Sequence, residues 1–500
     1  MHPKPKSLHD RDVEWRDLAD FVAAHGPRLR LGLMYGRRRY GKSYLLRRLT
    51  ETFGGVYHLV LNEGQRAALD RFARSAASLH PGAPPGHFSD WGDALSQVVD
   101  TLGDRQDGPH VLVLDEYPYL RDTSAELDSV IQSLMDESSG GDLGADWRAP
   151  VSIIVCGSAM SVMTGILSGT SPMRGRASLD MSLGSFDYRQ SRDYWGFADA
   201  AIALSVDAVV GGAAGYKDLT AGAGVPQNLD ELGQWICDTL LNPSHALFRE
   251  DEYLLREDPR VTSEAPYYSL LQAIAAGRSS QGQIAAATGR ASSDIVHQLG
   301  VLTSAGFVLR EDDLLTARRP AYRIADPIVR FHHLVTRRDR ALLEDRRAAE
   351  VWNSSTRTFQ SQVLGPHFET VCRRWVGRYA SSATLGGAIG PVRRTQVNDR
   401  GRRQSFELDI AAMRRWPDGR TTPSEVGVLG EAKLSVLGTR DLDRLDRTAE
   451  LLQRRDDVRV APDAKRVLFS VAGFDPELRD AAQRRSEIEL VDLERLYDGD

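Results

Sequence analysis

Eight consecutive residues, Gly36-Arg37-Arg38-Arg39-Tyr40-Gly41-Lys42-Ser43, fit the pattern G-x-x-x-x-G-K-[ST]. Glycines at both ends let backbone N–H groups wrap phosphate oxygens at the positive end of a helix. Lys42 would reach the β- and γ-phosphates, and the Ser43 hydroxyl would ligate Mg²⁺. Further on, Val111-Leu112-Val113-Leu114 leads into Asp115-Glu116. Asp115 is placed to hold Mg²⁺ through water, and Glu116 to polarise an attacking water. Val151 to Cys156 is a third apolar run, followed by Gly157 and Ser158. Ser158 either senses the γ-phosphate or caps the strand end, and the sequence supports both readings. The expected chemistry is hydrolysis of ATP. The expected nucleotide contacts are Gly36, Arg37, Arg38, Arg39, Tyr40, Gly41, Lys42, Ser43, Tyr44, Asp115 and Ser158.

A second group of charged residues lies near the C-terminus. Glu369 sits on a helical run, 367–372. Phe406-Glu407-Leu408-Asp409-Ile410 alternates as a strand, which puts Glu407 and Asp409 on one face. Val426 to Leu429 is apolar and is followed by Gly430-Glu431-Ala432-Lys433, so Glu431 and Lys433 also share a face.

Lysine itself is informative. Of 63 basic residues only six are lysines: Lys4, Lys6, Lys42, Lys217, Lys433 and Lys465. Arginine replaces lysine easily on a solvated surface, but not where a compact ammonium is required. Lys42 and Lys433 both fall in the chemical groups just described.

The 500 residues suffice for about three domains, with 41% hydrophobic and 26% charged residues. A formal net charge of −6 excludes a uniformly basic nucleic-acid binder. No apolar run is long enough to span a membrane, and the polar, mixed-charge start is not that of a signal peptide. Cys156, Cys237 and Cys372 lack disulfide or metal spacing, so a cytoplasmic location is expected. Residues 364–433 carry 12 basic and seven acidic residues, a local basic excess suited to a phosphate backbone.

These groups need elements to hold them. Strands are predicted at 28–34, 55–62, 110–114 and 151–155, alternating with helices at 41–52 and 64–78. That alternation implies a three-layer α/β domain with a parallel sheet over residues 1–195. Residues 196–335 read as a helical lid with a winged helix-turn-helix. Its helices are expected at 267–276, 280–288 and 292–305, the last capped by Ser292, and its wing strands at 307–310 and 321–324. Residues 336–363 read as a helical connector, and 364–500 as a small α/β domain.

The first domain resembles the archaeal-type ATPases of the STAND branch of the AAA+ superfamily. The resemblance rests on the arginines inside the phosphate loop, Asp-Glu-Tyr-Pro-Tyr-Leu at 115–120, Cys-Gly-Ser at 156–158 and Met173-Arg174-Gly175-Arg176. It also covers Asp10-Arg11 with Glu14, and Pro266 to Asp326. It implies Arg176 as an arginine responsive to the γ-phosphate, acting within the chain or across a subunit interface, in a possible homo-oligomer. The chain departs from that family at Gly211-Gly212-Ala213-Ala214, where Gly-Gly-x-Pro is usual; Gly-Val-Pro appears only at 224–226. The early exposed residues of the second winged-helix helix, Ser293, Asp294, His297 and Gln298, include no base. Arg290, Arg310, Arg318, Arg319 and Arg323 lie nearer the wing. Either the module reports ATPase state within the molecule, the favoured reading, or its wing touches DNA phosphates.

The C-terminal domain resembles the PD-(D/E)XK nuclease superfamily, a restriction-endonuclease-like α/β fold. The resemblance implies that Asp409 and Glu431 ligate Mg²⁺ or Mn²⁺, that Lys433 orients the attacking water, and that Glu369 holds the metal or its water shell. DNA is the implied partner, and the three-part architecture by itself suits defence against foreign nucleic acid. The alternative is an ATP-switched regulator whose C-terminal domain binds DNA or protein without cutting.

Overall fold

In the computed structural model, which describes residues 2–24, 28–80, 82, 84–140, 147–169, 171–261, 263–315, 320–399, 404–415 and 425–500, the expected early strands form. They are β1 (Leu29–Tyr35), β2 (Gly55–Leu59), β3 (His110–Asp115) and β4 (Val151–Gly157), joined by β5 (Ala177–Ser182). All pair in parallel, in the order β2-β3-β4-β1-β5. Every residue of β3 and β4 is buried, as in a sheet covered on both faces.

Alternation divides the sheet between two cores. Leu112, Leu114, Ile153 and Val155 face helices Gln65–Ala76, Trp91–Gly103 and Leu127–Gly140. Val111, Val113, Ile154 and Cys156 face helices Asp12–Ala23 and Lys42–Phe53. This is the expected three-layer α/β architecture with a parallel sheet.

The chain divides into two compact units: residues 1–185 with 213–216 and 254–262, and the remainder. The first compact unit thus runs without a break to Ser185, ten residues short of the boundary expected at 195. The helix Tyr188–Trp195 belongs to the second unit because the Tyr188 hydroxyl and Arg189 guanidinium donate to the Leu496 carbonyl. The segments read as 336–363 and 364–500 cluster in that same second unit with most of 196–335.

Within the second unit, helices Ala265–Ala275, Gln281–Ala287 and Val296–Ser304 precede an antiparallel hairpin, β6 (Val308–Glu311) and β7 (Ala321–Ile324). Ser280 and Gln283 form a capping box at the second of these helices. The cap expected at Ser292 is absent. Ser292 instead begins a 3₁₀ turn, Ser292–Ile295, that leads into the third helix.

Residues 348–379 form one unbroken helical run. The helix Ala348–Thr358 passes through π-helical turns at Phe359–Leu364 into Gly365–Arg374, and a second π segment, Trp375–Tyr379, ends it. Pro366 lacks an N–H and its ring crowds the preceding turn, which explains the first widening.

The last sheet contains β8 (Ile389–Asp399), β9 (Gln404–Arg414), β10 (Glu425–Lys433), β11 (Arg459–Ser470) and β12 (Ile488–Val491), in the order β12-β11-β10-β9-β8. β10 is parallel to β11 and antiparallel to β9. Leu442, Leu445, Ala449 and Leu452 of the helix Thr439–Gln453 pack on Leu429 and Leu468.

Two buried histidines make stability depend on pH. His58 and His333 are each pushed down to about 4, chiefly by burial, and the Nε2 atom of each is buried without a hydrogen-bond partner. The unfolded chain takes up these protons near pH 6.5. The contribution of each histidine is therefore full above pH 6.5 and falls as pH drops toward 4, by at most about 3 kcal/mol. Urea melts of the unaltered protein and of His58→Gln at pH 7 and pH 5 should show a smaller loss on acidification in the variant.

Candidate nucleotide and acidic sites

The phosphate loop connects β1 to the helix Lys42–Phe53. Gly36 has φ +157, and a Cβ there would lie 2.3 Å from the Leu183 carbonyl oxygen, so only glycine fits. Gly41 is the N-cap in a left-handed conformation (φ +92) and gives the helix no side-chain cap. Its first N–H groups are thus left for an anion. The Lys42 ammonium is buried and donates to the loop's own carbonyls, Gly36 at 2.7 Å and Arg37 at 3.1 Å. It lies where it can exchange those carbonyls for phosphate oxygens.

β3 delivers Asp115 and Glu116 to the same sheet end. Asp115 Oδ1 accepts from the Glu116 backbone N–H at 3.0 Å. Glu116 has φ +59, a costly conformation for a non-glycine residue. Burial raises its carboxyl above the usual range, Lys42 opposes that shift, and Asp115 adds to it. The Ser158 hydroxyl, at the end of β4, donates to Glu116 Oε2 at 3.2 Å. Lys42, Asp115, Glu116 and Ser158 are therefore brought together by three adjacent strands.

Tyr57 of β2 is a member of this site that no motif marks. Its hydroxyl donates to Asp115 Oδ2, its acidity is also influenced by Ser43, and Arg47 stacks on its ring at 4.5 Å. Ser43 and Asp115 thus converge on one hydroxyl, and Asp115 keeps carboxylate capacity for a hydrated Mg²⁺. The all-oxygen set suits that ion.

Other parts of the loop have definite partners. Arg11 donates to the Tyr40 carbonyl at 3.2 Å and to the Gly184 carbonyl at 2.8 Å, which ties the Asp10-Arg11 motif to the loop. The Arg39 carbonyl accepts from the Gly215 N–H at 3.0 Å, and Arg39 lies over the Tyr216 ring. Gly215 and Tyr216, just after the departure from Gly-Gly-x-Pro at 211–214, therefore do reach the phosphate loop. Glu257, also unmarked by any motif, pairs with Arg38 at 2.9 Å.

Two expected contacts are not brought into this site. The Tyr44 hydroxyl donates to the Ser7 carbonyl at 3.2 Å, and its ring stacks with Arg48, so it faces the N-terminal segment. Arg176 pairs with Asp136 at 2.9 Å. It precedes Ala177, which pairs with Leu31 near the start of β1, whereas the phosphate loop leaves the other end of that strand. Within one chain Arg176 stands at the wrong end of the sheet for the nucleotide.

In the second unit, the helix Gly365–Arg374 and strands β9 and β10 hold the acidic group. Asp409 Oδ2 accepts from the Ala432 N–H at 3.0 Å, which fixes it beside Glu431. Glu431 is buried, with Oε2 unpartnered. Burial pushes Glu431 and Glu369 up to about 7, and the Asp409 charge adds to both shifts. Arg373 donates to the Asp409 carbonyl at 2.9 Å and lies 3.7 Å from Glu369, so it ties helix to strand. A hard divalent cation fits the orphaned Glu431 oxygen beside Asp409, since Mg²⁺ is commonly held by one or two carboxylates and waters.

Three expectations change here. Among the described residues, no group of three or more His, Cys, Asp or Glu side chains is gathered closely enough to hold a metal, so Glu369 is not a third direct ligand. Lys433 donates to Asp441 of the helix Thr439–Gln453 and also stands 3.6 Å from Glu431, so its ammonium is shared between that helix and the edge of the acidic group. Arg444 holds Glu431 more closely, at 3.1 Å. The basic excess is also less of a free face than its count implies. Arg373 is buried, and Arg414 is buried against Asp463. Arg400, Arg402, Arg403 and Arg420 lie outside the described residues, as do Arg318 and Arg319 of the wing. Arg323 is engaged by Glu311 and Thr370, and Arg290 by the Asp294 carbonyl.

No family model matches the chain. An uncharacterized protein of Methanocaldococcus jannaschii is 24% identical over 309 residues, which span 60% of this chain and 62%, less than two thirds, of that protein. Among solved structures, the Walker-type ATPase of Pyrococcus abyssi is similar with a TM-score of 0.47 and 19% identity, over 66% of this chain and 97% of the other. The ORC2 protein of Aeropyrum pernix, in ADPNP and ADP complexes, gives 0.46 and 15%, over 71% and 97%. The ORC1 protein of the same organism, in complex with DNA, gives 0.34 and 15%, over 70% and 95%. The functional reading rests on the geometry of the sites themselves. Among the described residues, no helix is long and apolar enough to cross a membrane.

Proposed function

We propose that the chain is an ATP-binding and ATP-hydrolysing P-loop ATPase of the AAA+/STAND type, coupled to a metal-dependent DNA nuclease centre at its C-terminus. The observation that carries the ATPase reading is the meeting of Lys42, Asp115, Glu116 and Ser158 at one end of a parallel sheet, beside an uncapped helix terminus. Backbone N–H groups and Lys42 bind the polyphosphate; Ser43 and Asp115 would hold Mg²⁺, which would supply neutralisation of phosphate charge. Glu116, poised by burial, takes a proton from the attacking water, and Ser158 orients its carboxylate. Glu116→Gln is expected to retain ATP binding and lose about 10²- to 10⁴-fold in turnover, checked by nucleotide binding and phosphate release on the same preparation.

The nuclease reading rests on Asp409, Glu431 and the unpartnered Glu431 oxygen, with Glu369 close enough to feel the Asp409 charge. Asp409 and Glu431 would hold Mg²⁺ or Mn²⁺, Glu369 would act on its water shell, and Lys433 would leave Asp441 to meet the transition-state charge. A cytoplasmic location, a homo-oligomer in which Arg176 acts across the interface, and defence against foreign nucleic acid belong to this reading. The pairing of Lys433 with Asp441 favours the second reading, an ATP-switched regulator that binds DNA or protein without cutting. Purified protein with Mg²⁺ or Mn²⁺, with and without ATP, on circular and linear DNA decides between them: cleavage supports the first, and binding without cleavage the second.

A further inference from the structure

The segment 254–261 belongs to the first unit although it lies about 140 residues beyond Glu116 in the chain. It is held in shape by Asp258, which accepts from the Arg260 backbone N–H at 3.0 Å and from its guanidinium at 2.9 and 2.7 Å. This turn presents Glu257 to the phosphate loop, where Glu257 Oε1 accepts from Arg38 Nη1 at 2.9 Å. The Glu257 side chain is 22% exposed, while that of Arg38 is 53% exposed. The carboxylate is thus fixed, and the guanidinium is the partner free to swing.

The backbone of Arg38 is not free. Lys42 holds the carbonyl of Arg37 on one side, and Gly215 donates to the carbonyl of Arg39 on the other. Only the Arg38 side chain can choose between partners. Glu257 is also close to the reacting centre. Burial raises its carboxyl, Arg38 most strongly opposes that shift, and both Glu116 and Lys42 act on it. The hydroxyl of Tyr119 feels Glu116 and Glu257 together. A guanidinium at this place is drawn to two anions, the Glu257 carboxylate and a bound polyphosphate, and cannot pair fully with both.

We propose that Glu257 is a specificity-determining residue of the nucleotide site, which holds Arg38 away from the phosphates so that a ligand must win this guanidinium to bind tightly. The inference rests on the ATP reading. A triphosphate carries one charge more than a diphosphate and draws Arg38 more strongly, so the pair lowers the affinity for both nucleotides, for ATP more than for ADP, and narrows the gap between them. Removing the Glu257 charge releases Arg38 to both nucleotides, and the greater gain goes to the more highly charged one.

The test is equilibrium binding of N-methylanthraniloyl ATP and ADP to the full chain in the presence of Mg²⁺. Glu257→Gln is expected to tighten ATP about tenfold and ADP roughly threefold. Glu257→Asp, which keeps the charge on a shorter stem, should fall between the unaltered protein and Glu257→Gln. Arg38→Ala should weaken ATP binding, and adding Glu257→Gln to Arg38→Ala should then change it less than about twofold. An unchanged or weakened ATP affinity in Glu257→Gln overturns the inference, as does a full gain that persists without Arg38. Failure of the unaltered protein to bind either nucleotide overturns the ATP reading and this inference together. Binding that Glu257→Gln leaves as it was overturns the inference alone.

Discussion

Replacing Lys42 by alanine is expected to abolish ATP turnover, with a loss of about 10³-fold or more, while leaving the fold intact. The ammonium is buried and already surrounded by acceptors, the carbonyls of Gly36 and Arg37. It is therefore preorganised at the place where phosphate charge arrives, and needs only to exchange partners. Lys42→Arg should fail almost as badly, because a planar guanidinium is too wide for a position set by a compact ammonium. The β1 and β4 core beneath the loop does not use this side chain, so a thermal melt should shift little. Phosphate release under excess ATP, measured beside a melt, checks both halves. Turnover within a few-fold of the unaltered protein would remove Lys42 from the reaction.

The second large effect is expected at Asp409. Asp409→Asn preserves an oxygen acceptor for the Ala432 N–H but removes the charge that, with Glu431, would hold a divalent cation. DNA cleavage in Mn²⁺ should fall at least about 10²- to 10³-fold, while ATP turnover stays unchanged. The same substitution should stabilise the second unit by about 1 kcal/mol, because the like charge of Asp409 adds to the burial that raises Glu369 and Glu431 to about 7. A nicking assay and a melt on one preparation separate the two effects. Undiminished cutting by Asp409→Asn would sink the nuclease assignment, whereas lost cutting with a large destabilisation would point to folding.

The nucleotide site was legible because its parts are local. Gly36 to Ser43 is contiguous, and the strand before it and helix after it could be read from the apolar pattern. Asp115 and Ser158 each end an apolar run, and parallel pairing puts such ends side by side. Tyr57 and Glu257 were not legible, since a tyrosine in a strand and a glutamate in a charged segment carry no pattern of their own. Their positions depend on strand order and on a return of the chain across hundreds of residues. The ion pairs were equally hidden. Nothing near Arg176 names Asp136 as its partner, and nothing near Lys433 announces that Asp441 outcompetes Glu431 for its ammonium. The acidic group shows both sides of this: period-two alternation was enough to place Asp409 and Glu431, but not to show that Glu369 stands back from them.

The helical run 348–379 bears on how relatives of this chain should be aligned. A π-helical turn accommodates a surplus residue locally, so the helix on either side keeps its angular phase. A one-residue deletion within 359–364 should therefore leave Glu369 facing the same strands. The same deletion within the α-helical turn Gly365–Arg374, ahead of Glu369, should swing that side chain by about 100° away from those strands. Gaps in related sequences should thus gather within 359–364, and an alignment that forbids them there will mistake the residue equivalent to Glu369.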